Sequence, residues 1–540
     1  MKGGAPRVFP RSAVCWGSVL IGVAVILPLV TAFGETLTGD VAGRWAALST
    51  VVLDRMVDTA VLAAGTTLIA LIFALPTALC LHRADFPGRK LLGVLYVAPL
   101  LIPPHIHAIS WLRILGKTGY VAQPLRDMGI PFDVRAGVFD VGGAPLVFPG
   151  AMWMMAAAFW PLAALVISAG LKRLDPGLEE AALATAGRRR TLLRVTLPLL
   201  KDHILAGAFF VFLFAAACHG IPALLDTPTI MLEVFFTASN VDPSTALVVA
   251  TPLVVVALSA FLLVALGTGR RVWGGTVSFQ RTPDVLRPRS NAAFLIAFGT
   301  LALTAGWPLA SLIAKAGPFS TYQAVFKQLL PELTNSFQLA VVGGLLVMFA
   351  GFVVALCLLK WPRRRAFTLE AIYLLPLAFP AVVVGVASTR FWGRLSGFWW
   401  VDEYIYQGMG ISLFTYLMMF LPFSLRCLRA TMNRMGDGVL EAAELTGRGG
   451  GAICSRIILP LVWPGVMASF LISYVLILGE LSASLVVNSA RWQTAEVRIF
   501  NMIHFARDEE VAALCIMMAG LALLPFAFYL LVFNKKVQIL

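Results

Sequence analysis

The sequence predicts an all-α polytopic membrane protein of twelve transmembrane helices, arranged as two homologous six-helix halves. Three observations carry that prediction. Of 540 residues, 59% are hydrophobic and only 13% charged, too few charges to cover a soluble chain of this size. The apolar residues are gathered in runs of about 20, the length that crosses a ~30 Å hydrocarbon core at ~1.5 Å per residue. A stretch of the first half also aligns with a stretch of the second at a constant offset.

The apolar runs fall near 13–33, 57–81, 91–112, 149–170, 204–224 and 245–267, then near 292–314, 335–359, 367–389, 408–427, 464–486 and 509–533. In lipid a backbone amide has no water to bond, so each run is expected as a helix that pairs its own amides. The first run follows Lys2, Arg7 and Arg11. It is longer than a signal-peptide core and no A-x-A site follows it, so it is expected to remain as an uncleaved first span.

Direction follows from the basic residues. With both termini in the cytoplasm, 29 of the 42 Lys and Arg fall inside, the densest cluster being Lys172, Arg173, Arg188, Arg189, Arg190, Arg194 and Lys201. A miscounted span would scatter neighbouring basic loops to opposite sides. The same distribution accounts for the formal charge of +14: basic loops facing anionic lipid, with no nucleic acid as partner. The seven Cys lie in apolar spans or inside loops without metal-site spacing, so neither a disulfide nor a metal site is expected.

Asp58 to Arg113 aligns with Asn335 to Arg390, Ala78-Leu-Cys-Leu81 matching Ala355-Leu-Cys-Leu358, with Tyr96, Pro99 and Pro103 matching Tyr373, Pro376 and Pro380. Further on, Glu180-Ala-Ala182 matches Glu441-Ala-Ala443. The lost residues come out of the outer loop after the third span, about 113–148 in one half and 390–407 in the other. The organisation expected is a first half at 1–267, a basic cytoplasmic linker at 268–291 and a second half at 292–540. An even number of spans per half gives both the same orientation, and transporters commonly place substrate between such repeats.

Each half carries a matching inside loop between its fourth and fifth spans, about 171–203 and 428–463. The first reads Glu180-Ala-Ala-Leu-Ala-Thr-Ala-Gly187 and then Val195-Thr-Leu-Pro198; the second reads Glu441-Ala-Ala-Glu-Leu-Thr-Gly447 and then Ile457-Ile-Leu-Pro460. Ala, Glu and Leu favour a short helix. Gly permits the positive φ that reverses the chain, and Pro is tolerated where the next helix begins. The expected product is a helical bracket on the cytoplasmic face.

These residues resemble the "EAA loop" of ATP-binding-cassette (ABC) importer permeases, and with the six-plus-six layout the resemblance spans nearly the whole chain. The second copy has the family spacing, Gly six after Glu and Pro thirteen after Gly. The first has seven and eleven, one residue short in total. The resemblance implies a type I ABC importer permease fold. Its ATPase-coupling residues would be Glu180, Ala181, Ala182, Gly187 and Pro198 in one bracket and Glu441, Ala442, Ala443, Gly447 and Pro460 in the other. It also implies the partners: an ATP-binding-cassette ATPase dimer at the cytoplasmic face and a periplasmic solute-binding protein at the outer face of the inner membrane. The chain itself would be no enzyme and hold no cofactor, ATP and Mg²⁺ residing on the partner. Gly116-Lys117-Thr118 ends like a phosphate-binding loop, but Trp111 stands where the first Gly is required.

Ionisable residues inside spans are functional suspects. Glu480, in Leu478-Gly-Glu-Leu-Ser482, has His219 as its repeat counterpart. Both are expected about sixteen residues into their spans, roughly 24 Å from the cytoplasmic start. They are candidates for a gate or a substrate contact, an interhelical hydrogen bond being the alternative. His105 and His107 follow Pro103-Pro104; a metal there would need further ligands. Arg113 and Arg390 share a repeat position and are expected to snorkel to the interface, contact with acidic residues of a binding protein being the alternative. The outer loops 225–244 and 487–508 correspond, and Trp492, Val497, Ile499, Phe500 and Ile503 give the second a partly apolar face. It is expected either at the outer gate or on the lipid surface.

Similar fused permeases handle ferric iron, thiamine, organophosphonates or polyamines. Leu478-Gly-Glu-Leu with Val497-Arg-Ile-Phe500 favours the ferric type. An ion-coupled secondary transporter would show midplane carboxylates without paired brackets, and a membrane enzyme would show a nucleophile or metal cluster.

Overall fold

The computed structural model describes residues 11–116, 119–128, 138–141, 144–147, 149–263, 288–359, 361–489, 491–503 and 505–533. Lys117, Thr118 and residues 268–287 of the linker lie outside them. Among the described residues nine helices are long and apolar enough to span a membrane, and two sharply bent pairs bring that to eleven. The twelfth expected run, 245–267, is helical over Pro243–Leu263. The loop after the first bent pair adds one small hairpin, Val138–Val141 paired antiparallel with Ala144–Val147.

Three spans differ from expectation. The second begins earlier, as the 43-residue helix Val41–Arg83. Its added turns carry Asp54 and Arg55, and Arg55 pairs with Asp58 one turn on at 3.0 Å, so charge does not end the helix. The third span of each repeat is not one helix. Arg89–Leu101 meets Pro104–Leu115 at 92°, and Arg365–Ala378 meets Ala381–Leu395 at 99°. Proline explains both breaks. It has no N–H to donate, and it forces the residue before it out of the helical region. Ile102 before Pro103 is extended at φ −80°, ψ 126°, and Phe379 before Pro380 at φ −101°, ψ 122°.

The helices form two compact units of six spans each. These are not the sequence halves. One unit contains the second to fifth spans of the second repeat, with Arg11–Thr38 and Pro243–Leu263 from the first. The other contains the second to fifth spans of the first repeat, with Asn291–Ala316 and Asp508–Phe533 from the second. So each four-helix core is flanked by the first and sixth spans of the opposite repeat.

Small residues let the core helices approach closely, as van der Waals packing in lipid requires. A methyl at Gly351 would collide with Ser424 Oγ, which itself bonds Ser469 Oγ at 2.7 Å. In the other unit a Cβ at Gly207 would sit 3.1 Å from the Ala163 backbone. The flanking first spans pack on the broken third spans. Tyr373 Oη donates to the Ser18 carbonyl at 2.8 Å, and Phe33 meets Phe379 edge-on at 5.5 Å, beside the break. Equivalently, Trp307 meets Trp111 at 6.2 Å.

Arg113 and Arg390, expected to snorkel, are instead paired within these units. Arg113 is bound to Asp508 of the flanking sixth span, with Lys315 of the flanking first span 3.0 Å from Glu509. Arg390 Nη2 lies 3.3 Å from Glu35 Oε2 of the other flanking first span, and Arg394 pairs with the same carboxylate.

Cys15 and Cys357 place their sulfurs 3.5 Å apart across the contact between the flanking first span and Leu330–Leu359. A disulfide needs little further approach. Mild oxidation of the purified protein is therefore expected to yield a Cys15–Cys357 cross-linked peptide, seen by mass spectrometry and absent from Cys357→Ser. Its absence from the wild type would remove the first span from this unit.

Candidate coupling brackets and polar groups at the span ends

The first bracket helix, Pro176–Thr191, opens on Asp175, whose carboxylate accepts the Gly177 amide at 2.9 Å. That satisfies one of the unpaired amides of a helix start, and Pro176 occupies the first-turn position where its missing N–H costs nothing. The helix is interrupted at Gly187, which has φ 72°. The second bracket helix, Asp437–Leu445, is followed by Gly447 at φ 67°. Both sequence-predicted glycines therefore hold the left-handed conformation that a side chain strains.

After each turn the chain re-enters a helix through a single π turn, Leu192–Thr196 before Pro198 and Cys454–Ile458 before Pro460. The wider turn accommodates a proline that offers no N–H and crowds the preceding carbonyls.

The bracket residues divide by exposure. Ala181, Glu441 and Ala442 are exposed, Glu180 and Ala182 are half-buried, and Ala443 packs inward. The brackets also expose apolar side chains, Leu178 at 54% and Leu445 at 89%, which a chain in water would hide unless another surface covers them.

One determinant was not singled out in the sequence. Glu179, the residue before the motif glutamate, is buried and grips the bracket. Its Oε2 is 2.7 Å from Arg83 Nη2, at the end of the second span, and its Oε1 accepts from Arg83 Nε at 3.2 Å and from Thr196 Oγ1 at 2.7 Å. Arg83 also donates to the Leu171 carbonyl, the last residue of the fourth span, at 3.1 Å. One carboxylate thus ties the bracket to three spans of its unit. In the second repeat Leu440 holds the Glu179 position. The available signal was the doubled Glu179-Glu180, of which Glu179 is buried and Glu180 half-buried.

His219 and Glu480 lie just beyond their span helices rather than inside them. Leu197–Ala217 ends before His219, where Cys218 is extended; Leu459–Leu478 ends at Gly479. His219 is fully buried in one unit. Glu480, in the other, is part-buried and its Oε1 accepts the Ala483 amide at 2.9 Å. His107 secures the bend of its broken span. Its Nε2 is 2.8 Å from the Pro99 carbonyl, and since a carbonyl only accepts, that nitrogen carries the proton. Among the described residues no three His, Cys, Asp or Glu side chains converge as metal ligands. In the 487–508 loop the helix Ala495–Met502 buries Val497 and Ile499 against its own unit.

Two repeated six-span cores, each with a helical bracket opening on its fifth span, define a membrane transport subunit of the ABC importer class. The chain belongs to the family of binding-protein-dependent transport system inner membrane components, whose model matches residues 347–538. It is 23% identical over 514 residues to the Fe(3+)-transport system permease protein FbpB 2 of Haemophilus influenzae, covering 91% of this chain and 93% of that one. It is 22% identical over 524 residues to the ferric transport system permease protein FbpB of Actinobacillus pleuropneumoniae, covering 90% and 72%. A probable molybdenum ABC transporter permease of Haloferax volcanii is 30% identical over 226 residues, 40% of this chain and 77% of that one. The protein is a multi-pass inner-membrane permease.

Two expectations follow from the bracket geometry. Glu179→Leu, which installs the residue of the second repeat, leaves Arg83 buried without its carboxylate and is expected to cost roughly 3–5 kcal/mol. Thermal unfolding would register this, and adding Arg83→Met would restore most of the loss; equal stability of the single variant and the wild type would refute the role. Gly447→Ala, strained by its positive φ, is expected to cost about 1–2 kcal/mol and to lower stimulated ATP hydrolysis by the assembled transporter, with little loss of helix content by circular dichroism.

Proposed function

We propose that this permease carries ferric iron inward, taking it from a periplasmic binding protein and driven by two ATPase subunits that grip the brackets. What supports the drive is the pair of brackets itself: two equivalent short helices, each ended by a left-handed glycine and each presenting exposed Leu or Ala side chains. What supports the cargo is the extent of similarity. The ferric permeases align along 81–91% of this chain, whereas the molybdenum permeases align along 27–40%.

In this reading the basic loops face the cytoplasm, and both termini with them. ATP and Mg²⁺ reside on the partner, and the chain performs no hydrolysis. ATP-driven closure of the ATPases moves the brackets as rigid bodies. Through Arg83 and Thr196 the first bracket passes that movement to the second and fifth spans. The pathway then opens alternately to either side. Glu480 and His219, at the ends of the fifth spans, stand as gate or contact residues.

The test is uptake into proteoliposomes holding the permease with its ATPase, supplied with iron-loaded binding protein. Iron entry is expected with ATP inside and to fall to background without it. Uptake driven by an ion gradient alone would overturn the reading in favour of a secondary transporter. Uptake of thiamine, a phosphonate, a polyamine or molybdate in place of iron would overturn the cargo.

A further inference from the structure

The helix that follows the first bracket carries a basic face that packing does not explain. It runs unbroken from Arg188 through the π turn to Ala217, and Cys218 beyond it is extended. That is about 30 residues, or ~45 Å at ~1.5 Å per residue, the thickness of a bilayer with its headgroups. The two ends of the helix therefore stand at the two headgroup layers, with Arg190 and Arg194 at the layer beside the bracket. Arg190, Arg194, Lys201 and Leu205 recur at steps of four, seven and four, so they share one face. All four are exposed, Leu205 at 66%, while Leu200, Gly207 and Val211 on the opposite side are buried. Between Gly187 and Ala217 stand five basic residues and a single acid, Asp202.

The other repeat shows that the span does not require this face. Counting from the matched prolines Pro198 and Pro460, Arg194 corresponds to Arg456, but Arg190 corresponds to Ala452 and Lys201 to Trp463. Trp463 is 42% exposed. Tryptophan favours the boundary between headgroups and chains. Both repeats thus set the membrane surface at this height, and only the first sets it with added cations. Lys201 lies ~10 Å further into the bilayer than Arg194. Side chains lean towards a helix's N-terminus, here the bracket end, so the Lys201 stem can run back along the helix and bring its ammonium to the headgroups.

We propose that Arg190, Arg194 and Lys201 hold the phosphate headgroup of an anionic phospholipid in the leaflet beside the brackets, with an acyl chain lying on Leu205. Charge selects the occupant, because basic side chains at a membrane surface attract anionic lipid. The apolar continuation of the same face selects lipid over free phosphate, since Leu205 offers nothing to an inorganic ion. Arg190 is three residues from Gly187, so the lipid lies against the turn that ends the first bracket and steadies that bracket alone. The lipid site does not depend on the cargo; its effect on ATP hydrolysis rests on the drive proposed above.

The full chain, purified with its ATPase, is placed in nanodiscs of phosphatidylcholine and phosphatidylglycerol in equal parts, and retained lipids are counted by native mass spectrometry. Phosphatidylglycerol is expected to be retained over phosphatidylcholine at least threefold. Arg190→Ala with Lys201→Trp, which borrows both residues from the second repeat and so suits the fold, is expected to lose that preference. Lys90→Gln with Arg289→Gln, which removes two exposed charges elsewhere in the same unit, is expected to keep it. Equal preference in the wild type and the first variant, or an equal loss in both variants, overturns the site. A first variant that sheds its ATPase but keeps its phosphatidylglycerol assigns the face to the ATPase and also overturns it. Stimulated ATP hydrolysis by the wild type is expected to fall at least twofold in phosphatidylcholine alone, and that of the first variant to ignore the change. Wild-type hydrolysis indifferent to phosphatidylglycerol overturns the effect on the bracket. A preference that the first variant loses, in a complex whose ATP hydrolysis does not respond to the permease at all, upholds the lipid site and overturns the drive.

Discussion

A helix broken inside lipid exposes backbone groups that only protein can satisfy, and two such breaks organise this molecule. Each third span stops at a proline and turns by more than 90°. Its freed carbonyls and amides face hydrocarbon unless something covers them. Other protein covers them in both units. His107 reaches back to the Pro99 carbonyl. A first span from the opposite repeat lies on the second limb, through Phe33 on Phe379 in one unit and Trp307 on Trp111 in the other. In both units a first span of the opposite repeat therefore packs on the broken span.

The charges at the ends of the broken spans follow from the same arrangement. Arg113 and Arg390 occupy one repeat position, yet they choose different partners: Asp508 of a flanking sixth span and Glu35 of a flanking first span. Position along a span is visible in sequence, and it placed both arginines at an interface. The identity of the neighbour is not visible, since Glu35 and Arg390 are brought together only by the exchange of spans. An arginine that can reach a carboxylate prefers the bidentate, partly desolvated pair to water alone. Snorkelling is what it does when no such partner is present.

Much of the architecture was legible because lipid makes hydropathy nearly sufficient. Among the described residues the apolar runs are helical in the order expected, with nine to eleven of them long and apolar enough to span, and Gly187 and Gly447 hold the left-handed turns that the bracket motif demanded. Three things were not legible, each for a physical reason. The breaks at Pro103 and Pro380 fall inside runs expected as single spans, 91–112 and 367–389, because an apolar run says nothing about direction. Glu480 and His219 were expected within span helices that in fact end just before them, because Gly479 and Cys218 interrupt the helix without interrupting the hydrophobicity. Glu179 was not singled out, because its partner Arg83 lies 96 residues away.

The repeat duplicates a scaffold without duplicating its chemistry. A hydroxyl from the second span caps the same loop amide in both copies, Thr59 for Ile230 and Ser336 for Ala495, because an unpaired buried amide is costly wherever it occurs. Elsewhere on the scaffold the copies differ, one having Arg190 and Lys201 where the other has Ala452 and Trp463. The brackets diverge in the same way, an ion pair on Glu179 in one and Leu440 in the other. A permease built from two identical chains would be held to one answer at each position by its symmetry. Two repeats on a single chain escape that rule. What both copies keep, such as the capped loop amide, is what the fold requires, and where they differ the fold leaves the residue open.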